Sequence, residues 1–419
     1  GRASHLRRVG ASNRVDITYR AITDAELPAF VRTSSIGFHE SPNWLDAHPH
    51  WAALELDRIL VAVDGDDIVG TSRNYSLELT VPGGATLPAA GVSAVTVLPT
   101  HRRRGILRSM MRALLDDAVD RGEPVAMLTA SEATIYQRFG FGVSTQSMSI
   151  DVDRRVVEFA RPRPPGRMRI LDRDEAGKLE PEVFDRTRHG YPGAVSRPGA
   201  WWSDEQWDSR LGVRYDAAYE TSAGTVDGYV CYGIHSHFEP GVGTQDRLTV
   251  RDLVAVTPEA RHAVWRYLCE VDLVRTIIDP GAPIDLALPY LLTSNRAVRV
   301  RGTQDAVWTR LLDVPACLTA RTYPVAGRIT IAVRDDFRPG GATDGTFRLD
   351  AGPDGATVTT GDDPDLVCDV SALSAAWLGG LRWSTLADAG AVDVRVPAAV
   401  PLADALFASA PLPYPYTWF

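Results

Sequence analysis

The chain of 419 residues, 45% of them hydrophobic and 23% charged, has the composition of a soluble globular protein long enough for two to four domains. A net charge of -9 favours cationic partners over nucleic acid, and a mean hydropathy of -0.11 without an apolar run of about eighteen residues excludes a transmembrane helix. The single lysine, Lys178, lies in EAGKLE and not in a Walker A loop, which excludes that class of nucleotide site.

The first block of the chain, residues 15–150, alternates strand-like and helical patterns. Short β-like runs occur in ILVAVDGDDIVGTSRN, GVSAVTVLP and PVAMLTAS. Between the last two, LRSMMRALLDDAVDRG carries apolar residues at i, i+3, i+4, i+7 and i+8, which predicts an amphipathic helix with Gly122 as its C-cap. The order strand, turn, helix, strand predicts a β-α-β unit.

A second block, residues 151–312, repeats part of this pattern after a Pro/Arg-rich connector at 160–169. In both blocks an apolar strand is followed by proline, two residues, arginine and an amphipathic helix. The corresponding residues are Pro99 and Pro258, and Arg102 and Arg261. Val264 stands in the second block where the first has Gly105. We interpret the blocks as a duplicated domain whose second copy has lost a glycine-dependent function; two unrelated β-α-β units are the alternative.

The third block, residues 313–419, begins with strand-like patterns and continues with helical ones. The strand-like segments are RITIAVRDD, TFRLDAG and ATVTTGDDPDLVCDVS. The helix-like segments are SALSAAWLGG and PLADALFAS. Aromatic residues are concentrated in the final YPYTWF.

The segment VTVLPTHRRRGILRSM is the strongest chemical signal. A strand ends at Pro99, an arginine-rich turn with one glycine follows, and a helix begins at once. The N–H groups at a helix start and the helix dipole together form a site for phosphate oxygens. Gly105 permits close backbone approach, and the arginines add positive charge. The turn is thus a candidate site for a nucleotide or coenzyme pyrophosphate; a solvated basic turn is the alternative.

The spacing R-x-x-G-x-L after a V-x-V strand resembles the acetyl-CoA motif R/Q-x-x-G-x-G/A of the GCN5-related N-acetyltransferases, from which Leu107 departs. The stretch from VSAVTVLPTHRRRGILRSMM through VAMLTASEATIYQRFGFG resembles the enhanced intracellular survival (Eis) acetyltransferases of actinobacteria. PDLVCDVSALSAAWLGGLRWSTLADAGAV is similar to a sterol-carrier-protein-like module. The resemblance covers nearly the whole chain after the first dozen residues.

This resemblance implies an α/β and α+β fold with three domains. They are a catalytic acetyltransferase domain at 15–150, a second, non-catalytic acetyltransferase-like domain at 151–312, and a sterol-carrier-protein-like α+β domain at 313–419. It also implies that acetyl-CoA is the acetyl donor and that the assembly is a homohexamer.

The resemblance further implies which residues contact acetyl-CoA. In the family, a strand pairs with the pantetheine arm, the turn after it holds the pyrophosphate, and two residues lie along the coenzyme. The strand residues here are Val95, Thr96 and Val97; the turn residues are Arg102, Arg103, Arg104, Gly105, Ile106, Leu107 and Arg108; the last two are Ser131 and Glu132. A main-chain amide near Thr96 could polarise the thioester carbonyl, as the donors of an oxyanion hole do.

Two further residues are implied as catalytic groups. The tyrosine of I-Y-x-R-F-G, Tyr136, donates a proton to the departing thiolate, and the carboxylate of the last residue, Phe419, acts as base. A phenol of pKa near ~10 is protonated at neutral pH, as the first role requires; core packing, expected of Phe139 and Phe141, is the alternative. We expect the stiff aromatic end to be buried and not frayed. Its carboxylate, a weak base, would act through water or by holding the ammonium.

The acceptor pocket is expected in IGFHESPNW, residues 36–44, which follows the first helix. Glu40 would attract an ammonium group, and Phe38 and Trp44 would wall the channel. Each of these side chains is alternatively an ordinary surface or core residue.

The predicted function is acetyl transfer from acetyl-CoA to primary amines of aminoglycoside-like polyamines, without a metal. Protein lysines are an alternative acceptor, and a non-enzymatic acyl-CoA-binding or lipid-binding regulator is the rival class. The polar, basic N-terminal segment has no apolar core of a secretory signal, and the cysteines are isolated, so we expect a cytoplasmic protein. The cysteines are Cys231, Cys269, Cys317 and Cys368.

Overall fold

A computed structural model describes residues 17–40, 55–202 and 211–419. Its strands are β1 (Thr18–Ala21), β2 (Ile59–Asp64), β3 (Asp67–Thr80), β4 (Thr86–Val97), β5 (Val125–Thr129), β6 (Gly142–Val143), β7 (Gln146–Asp153), β8 (Arg167–Leu171), β9 (Val213–Glu220), β10 (Val226–His235), β11 (Phe238–Glu239), β12 (Gly243–Thr244), β13 (Asp246–Ala255), β14 (Val274–Pro283), β15 (Val298–Asp305), β16 (Val307–Leu311), β17 (Gly327–Arg334), β18 (Gly345–Gly352), β19 (Gly355–Thr360), β20 (Leu366–Asp369) and β21 (Val392–Val394). Its α-helices are α1 (Leu27–Phe38), α2 (Ile106–Asp120), α3 (Ala133–Tyr136), α4 (Arg173–Arg188), α5 (Pro258–Glu270), α6 (Leu288–Leu291), α7 (Val314–Ala320), α8 (Val370–Trp377), α9 (Trp383–Asp388) and α10 (Ala399–Phe407).

The chain divides into two compact units. The first comprises residues 1–74 and 94–114, and the second comprises residues 75–93 and 115–419. In the first unit β1, β2 and the beginning of β3 are antiparallel neighbours. Phe30 and Val31 of α1 are buried in one apolar cluster with β2, and Ile106 and Met110 of α2 are buried in a second. Burial of these apolar side chains of α1 and α2 stabilises the first unit.

The predicted amphipathic helix is confirmed as α2. Its apolar positions, including Met111 and Leu115, are buried. Gly122 adopts a left-handed φ of 76° after the helix, and the N–H groups of Gly122 and Glu123 donate to Val119 O and Ala118 O at 2.9 Å each. This hydrogen-bonding pattern is that of a glycine C-cap, so the prediction for Gly122 is also confirmed.

In the second unit, one sheet has the order β3-β4-β5-β16-β6. Strand β16 lies between β5 and β6 and is antiparallel to both, with Trp308 opposite Leu128 and Val143. Its residues come from the end of the second sequence block, whereas β7, which directly follows β6, joins a different sheet. The sheet of the first block therefore contains a strand of the second block, β16, and the sheet of the second block contains β7, which spans residue 150.

The other large sheet of the second unit has the order β15-β7-β14-β13-β10-β9-β8. Helix α5 buries Val264, Trp265 and Leu268 in its core. The helix begins at Pro258, separated from the end of β13 by two residues, and its N-cap Thr257 accepts a hydrogen bond from Ala260 N at 3.1 Å. The predicted correspondence of Val264 with Gly105 is therefore wrong in structural terms, because Val264 is an interior helix residue and not part of a turn.

The third predicted block contains a five-stranded sheet, in the order β19-β18-β17-β20-β21, and helices α7 to α10. Its predicted strand and helix segments are confirmed at β17 to β20, α8 and α10. Trp377, Trp383 and Phe407 are almost completely buried in its apolar core. Within the described residues, no helix is both long and apolar enough to cross a membrane.

Candidate active site

The predicted phosphate-binding turn connects β4 to α2 within the first unit. One turn of 3-10 helix covers Pro99–His101, and Arg103 and Gly105 then take left-handed φ values of 65° and 82°. The turn is held by its own side chains, since Arg102 Nε donates to Val97 O at 3.2 Å and Arg104 Nη2 to Thr100 O at 3.1 Å. These contacts fix the direction in which helix α2 begins.

The geometry of this turn suits a phosphate group. The first N–H groups of a helix have no acceptor within the helix, and α2 is 15 residues long, so its dipole favours an anion at its start. A Cβ added to Gly105 would meet no protein atom within 4 Å, so the space above it is open. Arg102, Arg103 and Arg104 are exposed beside it. Ile106 is buried in the apolar core and can offer a ligand only its main chain, whereas Leu107 is partly buried against the same cluster.

We expect Gly105→Val to weaken acetyl-CoA binding by roughly tenfold or more, because it fills the open space and strains a residue of positive φ. Isothermal titration calorimetry measures the change. Gly122→Val is the matched control, since Gly122 also has a positive φ and open space but lies at the other end of α2.

Equal acetyl-CoA dissociation constants for wild type, Gly105→Val and Gly122→Val would exclude the turn from the binding site. Val264→Gly should create no second coenzyme site, because position 264 lies inside a packed helix.

The predicted coenzyme strand is distorted at Ala94, a residue that the sequence did not single out. Ala94 has a φ of 53°, which is unfavourable for an L-residue by about 1–2 kcal/mol, and its carbonyl accepts a hydrogen bond from Thr71 Oγ1 at 2.8 Å. Strained residues of this kind concentrate at functional sites. Val95 follows half-buried, and Thr96 and Val97 are buried.

Helix α1 approaches this strand closely at Gly37. A Cβ at Gly37 would lie only 1.8 Å from Thr96 Oγ1, so glycine is required for this contact. Nothing in the local sequence around Gly37 indicates the requirement, because it arises from a residue almost sixty positions away.

The predicted acceptor residues lie at the end of α1. His39 has a left-handed φ of 61° and ends the helix, and Glu40 N donates to Ser35 O at 2.8 Å. Phe38 is 38% exposed and Glu40 is exposed, so both side chains are accessible. Trp44 lies outside the described residues.

In the second unit, Tyr136 ends the short helix α3, which follows β5. The side chain is only 8% exposed, and its ring packs edge-on against Phe141 with centroids 6.0 Å apart. Burial, with a smaller contribution from the Glu132 carboxylate, raises the pKa of Tyr136 to about 12. The hydroxyl is therefore protonated at every pH at which the protein would work. Ser131 and Glu132 are exposed just before this helix.

Strands β4 and β5 are paired in parallel over only three residue pairs, from Ala89–Val125 to Gly91–Met127. Strand β5 continues to Thr129, and β4 also continues beyond Gly91. The pairing of the two strands thus stops before either strand does. Ligands of open α/β sheets bind at the carboxyl ends of such strands.

Phe419, the last residue of the sequence, lies at this point. Its main-chain oxygen accepts a hydrogen bond from Thr129 Oγ1 at 2.5 Å. Its ring is edge-on to Tyr75, with centroids 6.1 Å apart, and stacked on Trp201 at 6.2 Å. A Cβ at Gly91 would come within 3.2 Å of the ring. The prediction of a packed aromatic end is confirmed, although Trp418 remains 40% exposed.

Comparison with known proteins identifies three domains in the chain. Models of the acetyltransferase (GNAT) domain match residues 18–144 and 193–311, and a model of the sterol carrier protein domain matches residues 314–416. The predicted fold class, tandem acetyltransferase domains followed by a sterol-carrier-like domain, is therefore confirmed. The chain is an acetyltransferase, and its GNAT domains imply the use of acetyl-CoA.

Relatives narrow this class further. An N-acetyltransferase of Streptomyces avermitilis is 38% identical over 413 residues, covering 95% of this chain and 98% of the relative. The N-acetyltransferase Eis of Mycobacterium tuberculosis is 35% identical over 355 residues, covering 82% of this chain and 84% of the relative. The crystal structure of Eis1 from Mycobacterium abscessus has a TM-score of 0.86 at 35% identity, covering 96% of this chain and 100% of that one. The chain belongs to the Eis family of N-acetyltransferases, as its motifs predicted.

Proposed function

We propose that this enzyme transfers the acetyl group of acetyl-CoA to primary amines of aminoglycoside-like polyamines, with Tyr136 as general acid and the Phe419 carboxylate as base. The observation that carries the proposal is the hydrogen bond from Thr129 to the Phe419 main-chain oxygen, where β4 and β5 stop pairing. This bond holds an oxygen of the terminal carboxylate at the carboxyl end of β5, the side of an open α/β sheet on which ligands bind.

The reaction needs a neutral amine, a polarised carbonyl and a stabilised leaving group. The amine nitrogen attacks the thioester carbon, the carbon–sulfur bond breaks, and an amide and free CoA result. The amine proton passes to the Phe419 carboxylate, through water because that carboxylate is a weak base. The Tyr136 hydroxyl donates to the departing sulfur. Its pKa of about 12 lies above that of a thiol, near ~8.5, so full proton transfer to the sulfur is uphill, and the hydroxyl stabilises the charge that develops on sulfur before the proton is shared. After the reaction Tyr136 regains a proton from solvent, and the Phe419 carboxylate releases the amine proton to solvent.

The coenzyme is assigned to the residues predicted for it. The exposed arginines at 102–104 and 108 and the main chain at 105–107 would hold the pyrophosphate, and Val95–Val97 would pair with the pantetheine arm through main-chain groups. Because Thr96 and Val97 are buried, the strand would contribute amides and carbonyls and not side chains. Ser131 and Glu132 are exposed and would lie along the coenzyme.

Charge supports the proposed acceptor class. Polyamines are cationic, the chain carries a net charge of -9, and Glu40 is exposed beside Phe38 at the end of α1. Glu40 would attract an ammonium group, and Phe38 and Trp44 would wall the channel.

The proposal also covers the domain organisation, the assembly and the localisation of the protein. Residues 15–150 would form the catalytic domain, residues 151–312 a non-catalytic copy, and residues 313–419 the sterol-carrier-like domain, in a cytoplasmic homohexamer. The absence of a glycine turn before α5 supports the loss of coenzyme binding in the second copy, since Thr257 already caps that helix.

An acceptor panel tests the proposal. Free CoA release from acetyl-CoA is measured with kanamycin, other polyamines and lysine-containing peptides, and we expect amine-dependent release that is fastest with the aminoglycosides. CoA release with lysine-containing peptides but with no polyamine would indicate that protein lysines are the acceptor. No amine-dependent release from a dozen polyamines and peptides would overturn amine acetylation and favour a non-enzymatic acyl-CoA binder.

A further inference from the structure

The terminal segment, residues 414–419, is held by a short stretch of the second block, residues 192–197, which we call the inner segment. Main-chain hydrogen bonds run from Tyr414 N to Pro192 O at 2.8 Å and from Val195 N to Pro415 O at 3.2 Å. The Thr417 hydroxyl adds a bond to Val195 O at 3.2 Å. The chain end is therefore aligned along the inner segment as one strand is aligned along another.

The inner segment is itself fixed on its other side by β3. Thr80 N donates to Ala194 O at 2.9 Å, and Ser196 N donates to Glu78 O at 3.0 Å. Val195 is paired with Leu79 in an antiparallel bridge and is fully buried. A hydrogen-bonded path thus runs from β3 through the inner segment to the terminal segment.

Arg197, the last residue of the inner segment, binds the terminal segment with two of its nitrogens. Nη2 donates to Tyr416 O at 2.7 Å, and Nε donates to Thr417 Oγ1 at 3.0 Å. Tyr416 has a left-handed φ of 56°, an unfavourable conformation for this residue type that needs support from its surroundings. The guanidinium binds the Tyr416 carbonyl, three residues before Phe419, the residue that contacts Thr129.

The orientation of Arg197 is fixed by groups that do not belong to the terminal segment. Nη1 forms an ion pair of 2.5 Å with Asp252, which also accepts a hydrogen bond from the Tyr229 hydroxyl at 2.7 Å. The guanidinium carbon lies 4.1 Å from the centroid of the Phe184 ring and 5.0 Å from that of Trp202. The arginine side chain is only 11% exposed. Its planar donor fork is thus preorganised, which lowers the entropy cost of holding the chain end.

We propose that Arg197, held by Asp252, is a positioning residue that sets the location of the Phe419 carboxylate. The second acetyltransferase-like domain then has a role in catalysis, because it aligns the base of the reaction. This inference rests on the proposed function of Phe419. A purely structural role of Arg197 is the competing explanation, and it predicts a loss of stability that is independent of the carboxylate.

A double-mutant cycle separates the two explanations. Arg197→Lys keeps a charge beside Asp252 but loses the planar fork, and Thr417→Val removes the hydroxyl while keeping the arginine. Each variant should lower kcat by roughly ten- to hundredfold, because small misplacements of a catalytic group have effects of that size. Acetyl-CoA affinity, measured by calorimetry, should change by less than about twofold.

The same substitutions are then made in a chain extended by a short Gly/Ser tag after Phe419, which already displaces the carboxylate. In this background we expect no further fall in kcat, because Arg197 has no base left to align. An equal fold-loss in the tagged and untagged chains would overturn the proposal in favour of a structural role.

A second measurement does not depend on activity. Carboxypeptidase should release Phe419 from Arg197→Lys and Thr417→Val at least about tenfold faster than from wild type, as followed by mass spectrometry. Arg186→Gln is the matched control, since Arg186 is an exposed residue of α4 that pairs with Asp227 of β10. Unchanged release from both Arg197→Lys and Thr417→Val would overturn the proposal. If the C-terminal tag leaves turnover unchanged but carboxypeptidase releases Phe419 faster from Arg197→Lys and Thr417→Val, the catalytic role of Phe419 is excluded and the anchoring of the terminal segment by Arg197 is supported.

Discussion

Replacing Tyr136 with phenylalanine should lower kcat by roughly 10²-fold or more while leaving acetyl-CoA affinity largely unchanged. The substitution keeps the ring and its edge-on contact with Phe141 but removes the only proton that the side chain can donate. Steady-state kinetics give kcat, and calorimetry gives the acetyl-CoA dissociation constant. Because the pKa of Tyr136 is raised to about 12, its deprotonation should produce no loss of activity between pH 6 and 10.

Tyr215→Phe is the control for this experiment, since Tyr215 is 38% exposed on the other sheet and also loses only a hydroxyl. Its kinetics should match those of wild type. A folded Tyr136→Phe enzyme with wild-type turnover would exclude the general-acid role and leave Tyr136 as a packing residue beside Phe141.

Moving the carboxylate of Phe419 should also lower turnover by at least one power of ten. A Gly/Ser tag after Phe419 converts the carboxylate to an amide, and deletion of Phe419 moves the carboxylate back by ~3.3–3.6 Å, beyond hydrogen-bond reach of Thr129. Deletion also removes the ring that stacks on Trp201, so the tagged chain is the cleaner variant. Turnover of tagged, shortened and unmodified chains is compared under one set of conditions.

The same tag placed at the N-terminus is the control, and it should leave turnover unchanged. All variants should bind acetyl-CoA, because the predicted coenzyme residues are untouched. If N-terminal and C-terminal tagging gave equal turnover, with both tags shown to be intact by mass spectrometry, Phe419 would be an ordinary packed terminus and the base would lie elsewhere.

Features that depend on local periodicity and turn chemistry were predictable from the sequence. The apolar spacing of 107–122 defined helix α2, and Gly122 defined its end, because only glycine readily adopts the conformation found there. The motif after β4 indicated the arginine-rich turn, and its glycine has the expected positive φ of 82°. Strands β17 to β20 and helices α8 and α10 of the third block followed from the same rules.

The close approaches that shape the candidate site were not predictable in this way. Gly37 is required because the side chain of Thr96 on β4 lies against it. Ala94 has a left-handed φ although it is not a glycine, so its residue type does not indicate this conformation. The duplicated pattern correctly indicated a second acetyltransferase-like domain, but it paired Gly105 with Val264, which lies inside a helix. Aligning the two segments residue by residue does not show that only two residues separate the helix of the second copy from its strand.

The sequence by itself therefore determined the family, the elements with clear periodicity, such as α2 and β17 to β20, and the residue types available for chemistry, because periodicity, capping and motif spacing are local properties of the chain. Only the tertiary structure decided that β16 lies between β5 and β6, that the inner segment aligns the terminal segment, and that Arg197 reaches Tyr416 and Thr417. These contacts join residues separated by more than 150 positions, and they form because buried main-chain groups and charges must find partners wherever the folded chain brings them together.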